Sequence, residues 1–228
     1  MIKGIGTGVA NNRMKWDFSG RRLAPSILVL CVCFVVWVGD TDVPRVYGVQ
    51  EGSATDAVKS TIDQVLAILA DESYKDPARK QERFDRLQEV IGKRFDYAEM
   101  GKRTLGRHWR KLNDAQKTEF SGLFQKFLSK TYVGNVDGYA GEQVQYLKER
   151  RKGDFAEVQT KVVSSKLQIP LDYRLFKKSN EWHVYDVVID GVSLVKNFRG
   201  QFDRIIKSSG YEGLFKKLRR KTQSTSPS

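Results

Sequence analysis

From about Gln143 to Asp190 apolar and polar residues alternate with a period of two, and beyond Ser193 they switch to helical spacing. Ala156, Val158, Thr160 and Val162 interleave with Glu157, Gln159 and Lys161. Leu167, Ile169, Leu171, Tyr173 and Leu175 share one face, with Gln168, Asp172 and Arg174 on the other. Successive side chains of a strand point to opposite faces, so each run predicts a half-buried strand. Trp182 to Ile189 is apolar or aromatic on both faces, as a strand covered on both sides requires. Turn formers separate the runs at Lys152-Gly153-Asp154, Lys178-Ser179-Asn180 and Asp190-Gly191. With a first strand around Val144–Leu147, about four consecutive strands over residues 142–190 predict an antiparallel meander. Pro170 lacks a ladder donor, so the third strand needs a bulge or an unpaired position there. Ser193 can cap a helix over about 193–208 whose Leu194, Phe198, Phe202 and Ile205 face the sheet.

Upstream the period is helical throughout, over about residues 55–133. Val58, Ile62, Val65 and Leu69 mark one helix, and Asp76-Pro77 supplies a cap and first-turn proline for a second through Ile91. Asp96 with Glu99, and Asn113 with Gln116, have the spacing that satisfies orphan donors at two more helix starts. The last of these carries Phe120, Leu123, Phe124, Phe127, Leu128 and Tyr132 on a face wider than a coiled-coil seam. Periodicity alone reads this face as ordinary core; its aromatics would equally make stiff walls for a container. Helices on one side of a twisted sheet define an α+β roll.

Two long motifs resemble a known family. The strands and corner IPLDYRL (Ile169–Leu175), WHVYDV (Trp182–Val187) and IDGVSLV (Ile189–Val195), followed by NFRGQF (Asn197–Phe202), resemble the signature of the toluene-tolerance or MlaC family of bacterial periplasmic carriers. So do FDYAEM from Phe95, LGRHW from Leu105, Gln116 with Phe120, and Phe124 with Leu128 and Tyr132. The likeness runs from about Ser60 to Leu218. It implies a cone-shaped roll like that of the nuclear transport factor family with additional helices. It also implies a carrier that shuttles phospholipid between an outer-membrane lipoprotein complex and an inner-membrane ABC transporter complex, maintaining outer-membrane lipid asymmetry. It assigns no catalytic residues.

The 228 residues are 40% hydrophobic, enough for one substantial core. Arg13, Lys15, Arg21 and Arg22 precede the apolar run Ile27–Val38, which has signal-peptide length and is short for a bilayer span. Residues 1–48 therefore predict a signal peptide with a linker and a periplasmic chain; an uncleaved anchor is the alternative, because no small-x-small site follows Val38. Residues 49–218 form the carrier domain, and 219–228 are expected to be a basic, disordered tail. Both cysteines, Cys31 and Cys33, lie in the apolar run, so signal removal leaves no thiol for a disulfide or metal site. The formal charge is +13; the first 48 residues hold six Lys/Arg and three Asp/Glu, so about +10 stays on the rest. Scattered positive residues without a nucleic-acid-binding motif argue against nucleic acid and for anionic headgroups or acidic partners.

Catalytic chemistry is thin. His183 is expected to be a structural histidine in a covered strand and His108 a helix-surface residue, and neither has an evident nucleophile beside it. Asp186 and Asp190 flank the fourth strand, and Asp172 with Arg174 makes a polar pair; paired or corner-capping carboxylates are the expectation. A small-molecule enzyme of the same roll, with a carboxylate in an apolar pocket, and a membrane-anchored interaction protein remain the alternatives. No metal or cofactor is called for. The reading is a carrier for a diacyl phospholipid, with acyl chains against Phe120, Phe124, Phe127 and Leu128 on the helical side and Val158, Val162, Leu171, Tyr173 and Leu175 on the sheet. Two chains of about 30 methylenes gain about 24 kcal/mol on leaving water. A bilayer offers a similar gain, so direction must come from partners.

Overall fold

A computed structural model describes residues 52–133, 141–164 and 168–223. Residues 1–51, which include the apolar run and both cysteines, lie outside the described residues, as do Leu167 and the extreme carboxyl terminus. Helix α1 spans Ala54–Ala70, with Ser53 accepting from the Asp56 amide at 3.0 Å. Two 3₁₀ turns, Glu72–Lys75 and Pro77–Arg79, lead into α2, Lys80–Arg94, so Asp76 and Pro77 start a 3₁₀ turn and not the helix itself. Asp96 caps α3, Tyr97–Leu105, and Asn113 with Gln116 forms the reciprocal capping box of α4, Asp114–Leu128. Helix α4 then widens into a single π turn, Ser129–Val133.

The strands follow as a meander in the order β1-β2-β3-β4-β5, every pair antiparallel. They are β1 Gln143–Lys152, β2 Phe155–Val163, β3 Gln168–Lys178, β4 Glu181–Ile189 and the two-residue β5 Val192–Ser193, one more strand than the sequence pattern indicates. Two of the three tight hairpins place both loop residues at positive φ: Ser179 (50°) and Asn180 (65°), then Asp190 (47°) and Gly191 (78°). That backbone twist matches the twist of the flanking strands. Pro170 is not in a bulge: it pairs in register with Lys161 of β2 and lies just outside the β4 ladder, where its carbonyl accepts from Asp190 N at 2.9 Å and its missing donor would face that turn residue. The bulges lie elsewhere. One makes Leu147 an extra residue on edge strand β1, where it is 56% exposed, and one makes Tyr185 an extra residue on β4.

Ser193 Oγ accepts from Lys196 N at 3.0 Å and starts α5, which runs over Leu194–Gln223 and not only to about 208. Gly210 (φ 66°, ψ −174°) kinks it, and the second segment buries Leu214, Phe215 and Leu218. Residues 219–223 of the expected disordered tail are therefore helical, because the buried face beyond the kink gives them a helix to continue. Below the sheet the principal core joins α3, α4 and α5: Phe120, Phe124, Phe127, Phe198, Phe202 and Phe215 form a continuous aromatic cluster with centroids 5.5–6.1 Å apart. Such edge-to-face and offset pairs contribute about 0.5–1.5 kcal/mol each beyond their burial.

An apolar cavity between the helical hairpin and the sheet

A cavity of about 170 Å³ lies between the inner face of β3–β4 and the helices on the opposite side. Leu171 and Tyr173 of β3, and Val184, Val187 and Ile189 of β4, form its floor. Val58, Thr61, Ile62 and Val65 of α1 and Leu87, Ile91 and Arg94 of α2 form the facing wall. Phe95, Tyr97 and Met100 close one end, and Leu128, Ser129, Tyr132 and Val133 another, with Leu194 at the start of α5. The π turn brings Ser129, Tyr132 and Val133 into the lining: it shifts the last turn of α4 off the regular stripe, as single π turns at functional sites often do.

The void exists because two apolar clusters fail to merge. Leu69 and Leu87, with Val65, Ile68 and Val133 against them, form a small cluster apart from the principal core. Helix α2 buries only Leu87 and Val90, so this wall is held lightly. Helix α1 joins the principal core through Ala54, Val58, Ile62 and Leu66, and polar ties fix its start to the sheet: Thr55 donates through both N and Oγ1 to Glu149 of β1 (2.8 and 2.6 Å), and Trp182 Nε1 donates to Gly52 O at 2.8 Å. The Phe95–Asp96 joint is tied to the open edge of β4, with Asp96 N donating to Val184 O at 3.0 Å.

Six polar side chains interrupt the apolar lining: Thr61, Arg94, Tyr97, Ser129, Tyr132 and Tyr173. Arg94 is half-buried; its Nη1 donates to Trp182 O at 2.5 Å and its Nε to Thr61 Oγ1 at 3.1 Å. Burial pulls its pKa below the usual arginine value, offset in part by Glu181, and no carboxylate among the described residues pairs with it. Tyr97 is pushed up to about 12 by burial, against a hydrogen bond with Ser129. Burial raises the Tyr132 phenol further still, and its hydroxyl has no hydrogen-bond partner among the described residues.

Of the nine residues assigned to the acyl chains by pattern, Leu128, Leu171 and Tyr173 line this cavity. Phe120, Phe124 and Phe127 stand in the aromatic cluster, each within 6% of full burial. Val158, Val162 and Leu175 are buried under the sheet outside the lining. Arg94, Tyr132, and the α1 and α2 wall were missed by sequence reasoning. The α1 period does mark Val58, Ile62 and Val65 as inward-facing, but nothing in it distinguishes a packed face from a face bordering a void.

The candidate catalytic groups are occupied structurally. Asp186 is buried and accepts from Ser193 Oγ (2.7 Å), Val195 N (3.0 Å) and Arg174 Nη1 (3.2 Å). It thereby ties β4 to the β5–α5 corner. Arg174 pairs with Glu157 and Asp186 and not with Asp172. Asp190 is exposed in its turn. His108 is not on the surface: it is buried, with Nε2 2.9 Å from Asp203 Oδ1 and Nδ1 3.3 Å from Tyr211 Oη, because the 3₁₀ turn Gly106–Lys111 rotates it against α5. His183 is partly exposed, with Nε2 3.8 Å from Glu181, and adjoins Phe176. Among the described residues no group of three His, Cys, Asp or Glu is placed to hold a metal, and no helix is long and apolar enough to cross a membrane.

An open antiparallel sheet whose inner face closes an apolar cavity against a loosely packed helical hairpin defines a binding protein for an apolar ligand. Residues 59–220 match the MlaC protein family, and the chain belongs to that family. The chain is 25% identical over 130 residues to the intermembrane phospholipid transport system binding protein MlaC of Haemophilus influenzae; the match covers 54% of this chain and 60% of that relative. Its fold matches that of a phospholipid-binding protein from Ralstonia solanacearum, solved in complex with a phospholipid, with a TM-score of 0.66 and 28% identity. That likeness covers 74% of this chain and 96% of the other.

Proposed function

We propose that this chain is a periplasmic phospholipid carrier and not an enzyme: it takes acyl chains between the α1–α2 hairpin and the β3–β4 face and passes lipid between membrane-bound partners. The apolar cavity carries the reading, supported by family membership and by the phospholipid in the Ralstonia structure. The partners are an inner-membrane ABC transporter complex and an outer-membrane lipoprotein complex, by analogy with the transport system named for the Haemophilus relative.

At about 170 Å³ the cavity has room for little more than one ring, since a void of about 150 Å³ accommodates benzene. A diacyl lipid therefore has to part the walls. The α2 side is the one that yields, because the Leu69–Leu87 cluster is separate from the principal core and α2 buries two residues only. Gentle purification followed by native mass spectrometry and organic extraction tests the reading. One diacyl phospholipid per chain is expected. Protein that is empty and also takes up no lipid from vesicles would overturn it.

A further inference from the structure

We infer that Arg94 and Tyr132 form a polar anchor that recognises the phosphodiester and an ester carbonyl of the bound lipid; this rests on the carrier reading above. Arg94 is the one formally charged residue among the described residues lining the cavity, and it does not point away into bulk water. Two of its nitrogens are fixed by Trp182 O and Thr61 Oγ1, which hold the guanidinium plane in place and leave Nη2 without a hydrogen-bond partner among the described residues. A half-buried cation with no carboxylate in direct contact is costly, and its depressed proton affinity reflects lost hydration that the more distant Glu181 offsets only in part. An oxyanion at Nη2 would restore the missing charge balance, and a guanidinium edge suits a phosphate geometrically.

Tyr132 gives the second point. Its hydroxyl is covered, its ring belongs to the same lining, and among the described residues no protein group meets the hydroxyl. Buried hydroxyls normally find a partner, so a covered hydroxyl without one, on a residue of the cavity wall, suits a ligand acceptor once the walls part. A half-buried Arg94 borders solvent, whereas the Tyr132 hydroxyl is covered. The phosphate thus sits at the rim and the ester linkage below it, with the acyl chains beyond both.

Binding of dioleoyl phosphatidylglycerol, its diether counterpart and dioleoylglycerol to delipidated full chain would be compared for wild type, Arg94→Met, Arg94→Lys and Tyr132→Phe. Arg94→Met should weaken phosphatidylglycerol about 10- to 100-fold, the range for a hydrogen bond to a charged group, and leave dioleoylglycerol unchanged. Arg94→Lys should recover part of that loss. Tyr132→Phe removes no internal bond and keeps the fold; it should weaken the diester lipid about 3- to 10-fold and the diether lipid not at all. Equal losses for phosphatidylglycerol and dioleoylglycerol in Arg94→Met, or none, would overturn the anchor, as would equal effects of Tyr132→Phe on both linkages. Stabilisation of wild type by millimolar inorganic phosphate, with no preference for phosphatidylglycerol over dioleoylglycerol, would assign Arg94 to a free anion and also overturn it. Wild type that binds none of the lipids defeats the carrier reading itself, a separate result.

Discussion

Filling the cavity from its floor distinguishes ligand space from imperfect core. Val187 of β4 lies opposite Tyr173 and lines the void, and a phenyl side chain there enters a strand position that tolerates aromatics. Val187→Phe adds four carbon atoms. At about 0.8 kcal/mol per buried methylene the upper gain is about 3 kcal/mol. Wall strain of about 1–3 kcal/mol opposes it where neighbours do not yield. The cavity itself sets a ceiling: at about 24 cal/mol per Å³, a 170 Å³ void forgoes about 4 kcal/mol. The delipidated variant should therefore be more stable than delipidated wild type by about 1–2 kcal/mol in urea unfolding. Lipid occupancy by native mass spectrometry should fall at least about tenfold, since one ring takes most of the room (about 150 Å³ holds benzene). A variant destabilised by 1 kcal/mol or more that still loads lipid normally would refute the reasoning, because it would put solid core where the void is drawn and the lipid somewhere else.

Phe124→Ala should cost about 3–5 kcal/mol in unfolding free energy, as loss of a core phenyl does, while the folded fraction still carries lipid; a lipid defect without a stability loss would return the aromatic cluster to the pocket. Leu171→Glu should do the reverse, abolishing lipid occupancy while the thermal transition survives, because the carboxylate meets a cavity wall and not a sealed core. Asp186→Ala leaves the Arg174 guanidinium and two donors without their acceptor and should cost about 3–5 kcal/mol by urea unfolding; a change under 1 kcal/mol would contradict that role. For Asp96, burial raises the pKa but is outweighed by Lys178 and the Glu99 amide, which hold it below the usual aspartate value. Its stabilisation is therefore present at neutral pH and lost as pH falls through the folded value, so the stability gap between wild type and Lys178→Met should close as pH falls through the ordinary aspartate range and below it. Raising salt to several hundred millimolar should slow lipid transfer to anionic vesicles, since surface charge is screened beyond about 8 Å already at physiological salt, without releasing bound lipid.

The elements governed by a single local rule were legible in the sequence. Alternation marks β2 to β4, the Asn113–Gln116 pair marks α4, and Asp190-Gly191 marks the corner that aims α5. The motif resemblance pointed to the family. What escaped depends on contacts between distant segments. A stripe that runs Phe120, Phe124, Phe127, Leu128 and Tyr132 looks uniform, yet its first three rings pack solidly on Phe198, Phe202 and Phe215 while Leu128 and Tyr132 border empty space. Nothing local separates these fates, because a core face and a cavity face obey the same period. The bulge at Tyr185 and the burial of His108 likewise follow from partners on other elements. The kink at Gly210 has a local cause in glycine, but only the packing of Leu214, Phe215 and Leu218 makes it a continuation and not an end.

The ties of α1 to the sheet also bear on the order in which the chain assembles. Three of the four hairpins of the meander join neighbouring segments through loops of two residues, so their contacts close cheaply in chain entropy and can form early. Thr55 reaches Glu149 across 94 residues, and Gly52 reaches Trp182 across 130. Such contacts close long loops, and the α1–α2 hairpin has no reason to dock before the surface it rests on exists. Amides of α2 should exchange with solvent deuterium well ahead of those in β3 and β4, through openings that leave the rest of the molecule intact. On this view loading a lipid retraces the final step of folding: the wall that parts to admit the acyl chains is the last to be laid down, and the carrier works by visiting a state it passed through on the way to being native.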